Sequence, residues 1–312
     1  MKTVFMGTAE LSCASLERLT TDPRFSVAAV VTQPDKPKGR DLKSQPSAVK
    51  VVAQRLALPV LQPAKARDPE FIAGLRDLKP DLIVVVAYGQ ILPQTILDLP
   101  VHGCLNVHTS LLPKYRGAAP IQWAIADGET ETGVTIMKMD AGLDTGPILS
   151  QRRTPISPED DAQTLHDRLA LLGAGLLVET IPGYVAGTIQ PRPQPTDEAS
   201  YAAKIKKEDG KIDWTRPAQQ ILNRLRAFTP WPGASTGIRT TSNIQLLKIW
   251  KAETVDGGGQ PGEILAADKS GITVACGKDA LRILELQREG GKRLKASEFL
   301  AGHPLRPGDR LA

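Results

Sequence analysis

The chain has 312 residues, 41% of them hydrophobic and 4% aromatic, with a net charge of +5. That length can bury a sizeable core and suits two domains better than one, and the mild positive charge permits an anionic partner without demanding one. Three cysteines (Cys13, Cys104, Cys276) and four histidines lie far apart, which excludes a disulfide framework, a CxxC redox pair and zinc-finger spacing, so no metal is expected.

The chain passes from Met1-Lys2 straight into the apolar run Thr3 to Met6. No signal peptide or membrane span is expected, and the cytoplasm is the default location. The run ends at Gly7, and helical spacing begins at Ser12 with Leu16 and Leu19. Strand, glycine turn and helix open a Rossmann-like sheet. The GxGxxG fingerprint is missing, which disfavours a dinucleotide enzyme. Val27 to Val31 reads as a second buried strand.

Thr32 to Pro46 is long for a strand-to-helix connection. Pro34, Pro37, Gly39 and Pro46 argue against a regular element there. It carries Lys36, Lys38, Arg40 and Lys43 against Asp35 and Asp41. Such a stretch is either a solvated surface loop or an arm that touches phosphates.

Ser47 to Leu56 reads as a helix and Pro59 to Leu61 as a short strand. Asp68 to Leu78 is an amphipathic helix with Pro69 in its first turn. Asp81 to Ala87 is the clearest buried strand. Strands of nearly uniform apolar character alternating with helices predict a parallel sheet covered on both faces.

The next strand, Leu105 to His108, differs. Asn106 and His108 leave one face while Leu105 and Val107 leave the other, and the polar pair stands roughly 6.6 Å apart. A turn follows at once. Met139 to Gly146 then offers Asp140 and Asp144 on a glycine-flanked turn. Either polar residue alone would suit a hydrogen-bonded core position. Together they could serve acyl transfer: the amide can hold an oxyanion, the imidazole can move a proton or donate a hydrogen bond, and the carboxylate can orient the imidazole.

Ile121 to Ala126 reads as a short helix, Gly133 to Met139 as a strand and Ala162 to Ile181 as a long helix. The Pro- and Gln-rich stretch from Gly187 to Ala199 reads as a linker. Lys206 and Lys207 lie in the basic segment that follows. A helix from Gln219 to Ala227 leads to short strands at 244–250, 262–266, 271–275 and 280–286, which suggest a small β-barrel. Arg288, Lys292, Arg293 and Lys295 make the end locally basic. The expected division is 1–187, a linker at 188–208, and 209–312.

The run Asn106-Val107-His108-Thr109-Ser110-Leu111-Leu112-Pro113-Lys114-Tyr115-Arg116-Gly117-Ala118-Ala119-Pro120-Ile121-Gln122, followed by Gly133 to Met137 and the Asp144 turn, resembles the folate-dependent formyltransferases. The resemblance covers essentially the whole chain. It implies an α/β fold, with a Rossmann-like, mostly parallel sheet in the N-terminal domain and a smaller OB-like β-barrel in the C-terminal domain. It implies 10-formyltetrahydrofolate as co-substrate, initiator methionyl-tRNA as the partner that accepts the formyl group, and a monomer. By resemblance, Asn106, His108 and Asp144 are catalytic, and Ser110, Leu111, Leu112 and Pro113 bind tetrahydrofolate. The loop around Arg40, with Lys36, Lys38 and Lys43, approaches the acceptor stem. Lys206 and Lys207 are further expected tRNA contacts.

The chain departs from the family at Gly7-Thr8-Ala9-Glu10-Leu11, where a proline and a phenylalanine are usual, so substrate contacts of that turn are not carried over. Three other readings stand beside this one: a formyltransferase for a nucleotide-sugar amine, a hydrolase that removes formate from the same folate, and a nonenzymatic RNA-binding protein. The basic loop and second domain favour tRNA over the first two, and the polar trio argues against the last.

Overall fold

The computed structural model describes residues 1–38, 43–239 and 244–312. The chain divides into two compact units. Unit 1 comprises Met1–Pro120, Glu131–Pro155 and His166–Ala202, and unit 2 comprises Ile121–Thr130, Ile156–Leu165 and Ala203–Ala312.

In chain order the elements up to residue 202 are β1 (Lys2–Gly7), α1 (Leu11–Thr21), β2 (Ser26–Val31), β3 (Lys36–Lys38), β4 (Lys43–Gln45), α2 (Ala48–Arg55), β5 (Val60–Leu61), α3 (Pro69–Leu78), β6 (Leu82–Val86), α4 (Gln94–Leu97), β7 (Cys104–His108), β8 (Arg116–Gly117), α5 (Pro120–Ala126), β9 (Glu131–Lys138), β10 (Ile148–Pro155), α6 (Ala162–Val185) and β11 (Tyr201–Ala202). Among the described residues, seven strands form one sheet in the order β10-β9-β7-β6-β1-β2-β5. The five from β7 to β5 run parallel, while β9 is antiparallel to β7 and β10 antiparallel to β9. The Rossmann-like, mostly parallel sheet expected of the N-terminal half is therefore present.

From β1 the chain moves outward through β2 to β5, then returns to β6 on the other side of β1. Ligands of such sheets bind beyond the carboxyl ends of the strands near this reversal. The reversal is tied together by side chains: Ser12 Oγ donates to Val86 O at 2.6 Å and Thr8 Oγ1 to Tyr88 O at 2.8 Å. The strand Leu82 to Val86 is buried along its whole length.

Strand β7 is held from behind. A Cβ on Gly173 of α6 would stand 2.8 Å from Val107 Cγ1 and 3.3 Å from Val134 Cγ1. Glycine there lets the helix pack closely against β7 and β9. By length and apolar composition α6 would also cross a membrane. Here it is a core helix, with Leu165, Leu169, Leu177, Val178 and Ile181 buried in protein.

Two expectations of irregular structure need correction. Between Thr32 and Pro46, β3 and β4 pair antiparallel, with Lys36 opposite Gln45, Pro37 opposite Ser44 and Lys38 opposite Lys43. A two-stranded ribbon has free edges on both sides, so a proline is tolerated in it. The base of this arm is pinned: Asp35 pairs with Lys50 Nζ at 2.7 Å and accepts from Gln62 Nε2 at 2.7 Å. Arg40 lies outside the described residues. The Pro-rich stretch after α6 is also bonded, since Arg192 exchanges both backbone hydrogen bonds with Ile148 at 2.8 Å. Strand β11 pairs with β8. Residues through Ala202 thus belong to unit 1.

Past residue 202 come a single 3₁₀ turn (Lys207–Gly210), α7 (Ala218–Ala227), β12 (Ala234–Arg239), β13 (Ile244–Val255), β14 (Ile264–Asp268), β15 (Gly271–Ala275), β16 (Ala280–Arg288), β17 (Arg293–Lys295) and α8 (Ala296–Gly302). The strands form an antiparallel sheet in the order β12-β13-β16-β15-β14, with β17 beside β16. Its two outer strands are linked by the tail. Ala312 and Gly237 exchange backbone bonds at 2.8 Å, Ile264 N donates to Asp309 O at 2.8 Å and Leu311 N to Gly262 O at 2.9 Å. The tail joins the two edges, which gives the sheet its barrel-like closure.

Leu311 is buried in the unit 2 core. Removing Asp309–Ala312 should therefore cost about 2–5 kcal/mol, the range for losing one buried leucine, before counting the edge bonds. Urea unfolding followed by tryptophan fluorescence measures this. An unchanged midpoint would mean that the sheet edges do not depend on the tail.

Candidate active site

Strand β7 delivers Asn106 and His108 to the carboxyl end of the sheet on one face, as its alternation requires. Both are buried, at 9% and 5% exposure. Thirty-eight residues downstream in sequence, the turn after β9 brings Asp144 against them. Asn106 Nδ2 donates to Asp144 Oδ1 at 3.3 Å. His108 Nδ1 lies 3.7 Å from Asp144 Oδ2. Gly117 N donates to the same Oδ2 at 2.9 Å. The three residues read as one site from the sequence do meet.

The partners settle which atoms carry protons. A carbonyl only accepts, so His108 Nε2 carries its hydrogen and donates to Tyr115 O at 2.9 Å. The ring is thereby held, and Nδ1 is the nitrogen turned to the carboxylate. Asn106 presents its NH₂ to the Asp144 carboxylate oxygen, which accepts. One Asn106 N–H is used there. Among the described residues nothing accepts the other.

Asp140 does a different job. Its Oδ1 accepts from Gly142 N at 3.1 Å and Thr145 Oγ1 at 2.7 Å, so this carboxylate shapes the turn that presents Asp144. Asp144 itself adopts a φ of +53°, in the left-handed region that side chains disfavour. The neighbouring glycines are needed: a Cβ on Gly146 would strike Lys138 O, and one on Gly142 would strike Thr145 Oγ1.

Ser110, Leu111, Leu112 and Pro113 leave the end of β7 directly. Ser110 Oγ is committed to Lys114 O at 2.6 Å, closing the turn. Thr135 braces the segment, accepting from Leu112 N at 3.1 Å and donating to Ser110 O at 2.7 Å. Gln151 adds a bond to Leu112 O at 2.9 Å. Leu112 packs with Met137 and Ile148, with Met139 at the edge of the cluster. Thr135, Gln151, Arg116 and Gln194 escaped sequence reasoning. Only Thr135 carried a usable signal, as a polar residue on a strand that the sequence predicts beside the site.

The basic residues expected at the tRNA fall into separate places. Lys36 is exposed and its Nζ donates to Gln33 Oε1 at 2.6 Å. Lys38 and Lys43 are register partners in the β3–β4 pair. Lys206 and Lys207 are exposed at the 3₁₀ turn of unit 2, where Lys206 N donates to Asp209 Oδ2 at 2.7 Å. The cysteines offer no alternative chemistry. Burial above all pushes Cys13 up to about 11, Cys104 up to about 12 and Cys276 up to about 11, so none is a thiolate near neutral pH.

Comparison with known proteins adds sequence-wide evidence. The family model described as formyl transferase matches residues 1–181, and that of the formyl transferase C-terminal domain matches residues 204–304. A methionyl-tRNA formyltransferase of Geobacter metallireducens is 54% identical over 308 residues, covering 99% of this chain and 97% of that protein. One from Myxococcus xanthus is 50% identical over 307 residues, covering 98% and 96%. Among solved structures, an N-formyltransferase from Helicobacter canadensis in complex with folinic acid and dTDP-3-aminofucose superposes with a TM-score of 0.64 at 19% identity, covering 91% of this chain and 99% of that one. HypX from Aquifex aeolicus in complex with tetrahydrofolic acid gives a TM-score of 0.60 at 18% identity, covering 100% of this chain and 50% of that one. At such identities the last two show the shared fold.

Proposed function

Because the chain belongs to the formyltransferase family, we propose that it transfers the formyl group of 10-formyltetrahydrofolate to the α-amino group of methionyl-initiator tRNA. The product, formylmethionyl-tRNA, serves translation initiation. The observation that carries the reading is the meeting of Asn106, His108 and Asp144 at the end of β7. The full-length likeness to methionyl-tRNA formyltransferases supports tRNA as acceptor. On this reading the enzyme works in the cytoplasm, as a monomer, with unit 1 carrying catalysis and residues 209–312 helping to hold the acceptor arm.

The donor set fits the co-substrate. 10-Formyltetrahydrofolate supplies an activated formyl carbon. The turn from Ser110 to Pro113 would hold it, with the Leu112–Met137–Ile148 cluster as an apolar floor. Asn106 keeps one N–H for the formyl oxygen, where negative charge builds as the amine attacks. A preorganised donor of this kind is typically worth about 2.7–4 kcal/mol. An ammonium group is no nucleophile, so a proton must leave the attacking nitrogen. His108 holds its Nε2 hydrogen on Tyr115 O, which leaves Nδ1 as its exchangeable position. Asp144, facing that nitrogen, orients the ring or relays the proton, which passes to folate N10 as the bond between N10 and the formyl carbon breaks.

Asn106→Ala, His108→Ala and Asp144→Asn should each lower kcat by about 10²-fold or more with the fold intact. Single-turnover formylation of charged initiator tRNA measures this, with circular dichroism as the control. Near-wild-type rates in all three would remove the site assignment. In the same assay, formyl-folate should be consumed only when charged tRNA is present. Turnover with an amino sugar nucleotide instead would redirect the function.

We assign Lys36, Lys38, Arg40 and Lys43 of the arm, with Lys206 and Lys207, to the tRNA backbone. Arg40 is the main contact in this assignment, because a guanidinium grips a phosphate or base edge with paired hydrogen bonds. Arg40→Ala should raise KM for charged tRNA and leave folate affinity unchanged. Replacing Lys38 and Lys43 together should flatten the salt dependence of tRNA binding, by about one unit of slope for each phosphate that is no longer neutralised. Salt curves identical to wild type would return the arm to plain solvated surface.

A further inference from the structure

The Asp144 turn is fastened by a residue from far along the chain. Gln194 is 8% exposed and reaches the turn from the Pro-rich stretch after α6. Its Nε2 donates to Asp144 O at 2.8 Å and to Gly146 O at 2.6 Å. Its Oε1 accepts twice from Arg116, from Nε at 3.0 Å and from Nη2 at 2.7 Å. Arg116 is 4% exposed.

Chemistry fixes this amide in one orientation. A guanidinium only donates, so it must face Oε1. The two turn carbonyls only accept, so they must face Nε2. A flipped amide would set donors against donors and acceptors against acceptors. Arg116 therefore aims Gln194, and Gln194 holds the two carbonyls on either side of Thr145.

The residues beside Arg116 complete the arrangement. Tyr115 O accepts the hydrogen bond from His108 Nε2, and Gly117 N donates to Asp144 Oδ2. The tripeptide Tyr115-Arg116-Gly117 thus touches His108 and the Asp144 carboxylate directly. Through Gln194 it also holds the backbone of Asp144. That backbone is the part under strain, at a φ of +53°. Without Gln194 the turn has less to keep it left-handed, and the carboxylate loses its register with Asn106 and His108.

We propose that Gln194 is a positioning residue for the reaction, aimed by Arg116 and acting through the backbone of Asp144. The inference rests on the formyl-transfer reading for its kinetic test, and it carries a second readout that does not. The informative substitution is Gln194→Glu. A glutamate carboxylate still satisfies Arg116, so the buried guanidinium keeps its partner. It offers no N–H to Asp144 O and Gly146 O and repels them.

Gln194→Glu should lower kcat at least 10-fold, with KM for folate and charged tRNA within about 3-fold of wild type. In an Asp144→Asn background the same substitution should add little further loss, since residues that act as one unit are not additive. Wild-type kcat in Gln194→Glu, or full additivity with Asp144→Asn, would overturn the proposal and leave Gln194 a structural amide only. Hydrogen exchange at the Gly117 amide is the readout independent of activity. It should become faster in Gln194→Glu, because its acceptor is Asp144 Oδ2. Unchanged protection there overturns the proposal whatever the formyl acceptor is. An inactive wild type with faster exchange in the variant would instead count against the functional reading alone.

Discussion

The Asp144 carboxylate is the interaction on which the site depends. One oxygen takes the Asn106 amide, and the other takes Gly117 N and faces His108 Nδ1. Three separate stretches of chain meet on two atoms. The carboxylate can be there only because its backbone accepts a left-handed conformation and because Gly142 and Gly146 carry no Cβ. The glycines beside Asp144 are thus a steric requirement of the turn. Asp140 supports the same shape from within, through Gly142 N and Thr145 Oγ1. The two carboxylates of one short turn divide their duties, one building the turn and one facing Asn106 and His108.

How much of this could be read beforehand follows from the range of each interaction. The Asn106–His108 pair was legible because strand alternation is local: two polar residues two apart on a buried strand must share a face. The Asp144 turn was legible as a turn from its glycines. That it meets β7 across 38 residues of sequence is a tertiary fact, and the two were linked beforehand only by the chemistry their groups could share and by the resemblance to formyltransferases. Gln194 was out of reach for the same reason in stronger form. Prolines at 191, 193 and 195 mark a chain without regular structure, and a linker shares that composition. Its tie to Arg116 spans 78 positions, and nothing local announces it.

The fold shows the same division. Strands with uniform apolar runs, such as Leu82 to Val86, were plain. Strand β10 was not, because Ser150, Gln151, Arg152 and Arg153 give it a polar reading suited to a sheet edge. Strands β3 and β4 were obscured by prolines that a two-stranded ribbon tolerates. In the C-terminal half, four strands were legible from short apolar runs between glycine turns. The closure was not, because the pairing of Ala312 with Gly237 and of Leu311 with Gly262 is made of backbone groups without a side-chain signature.

The apolar face of β7 explains why a site of this kind can be exact. Leu105 and Val107 are fully or almost fully buried, and Gly173 lets α6 pack closely on Val107 and Val134. A strand packed this closely from behind cannot slide or tilt without opening a cavity or forcing a clash, and either costs energy in a close-packed interior. Asn106 and His108 inherit that rigidity through the backbone they share with Leu105 and Val107. The Asp144 turn has no such backing. It sits on an exposed glycine-flanked loop and must be held by polar bonds from its own side, which Arg116 and Gln194 supply. Half of the site is thus positioned by packing and half by a buried hydrogen-bonded pair. The second half is the more easily disturbed, because a few polar bonds hold the turn while close packing holds the sheet behind β7.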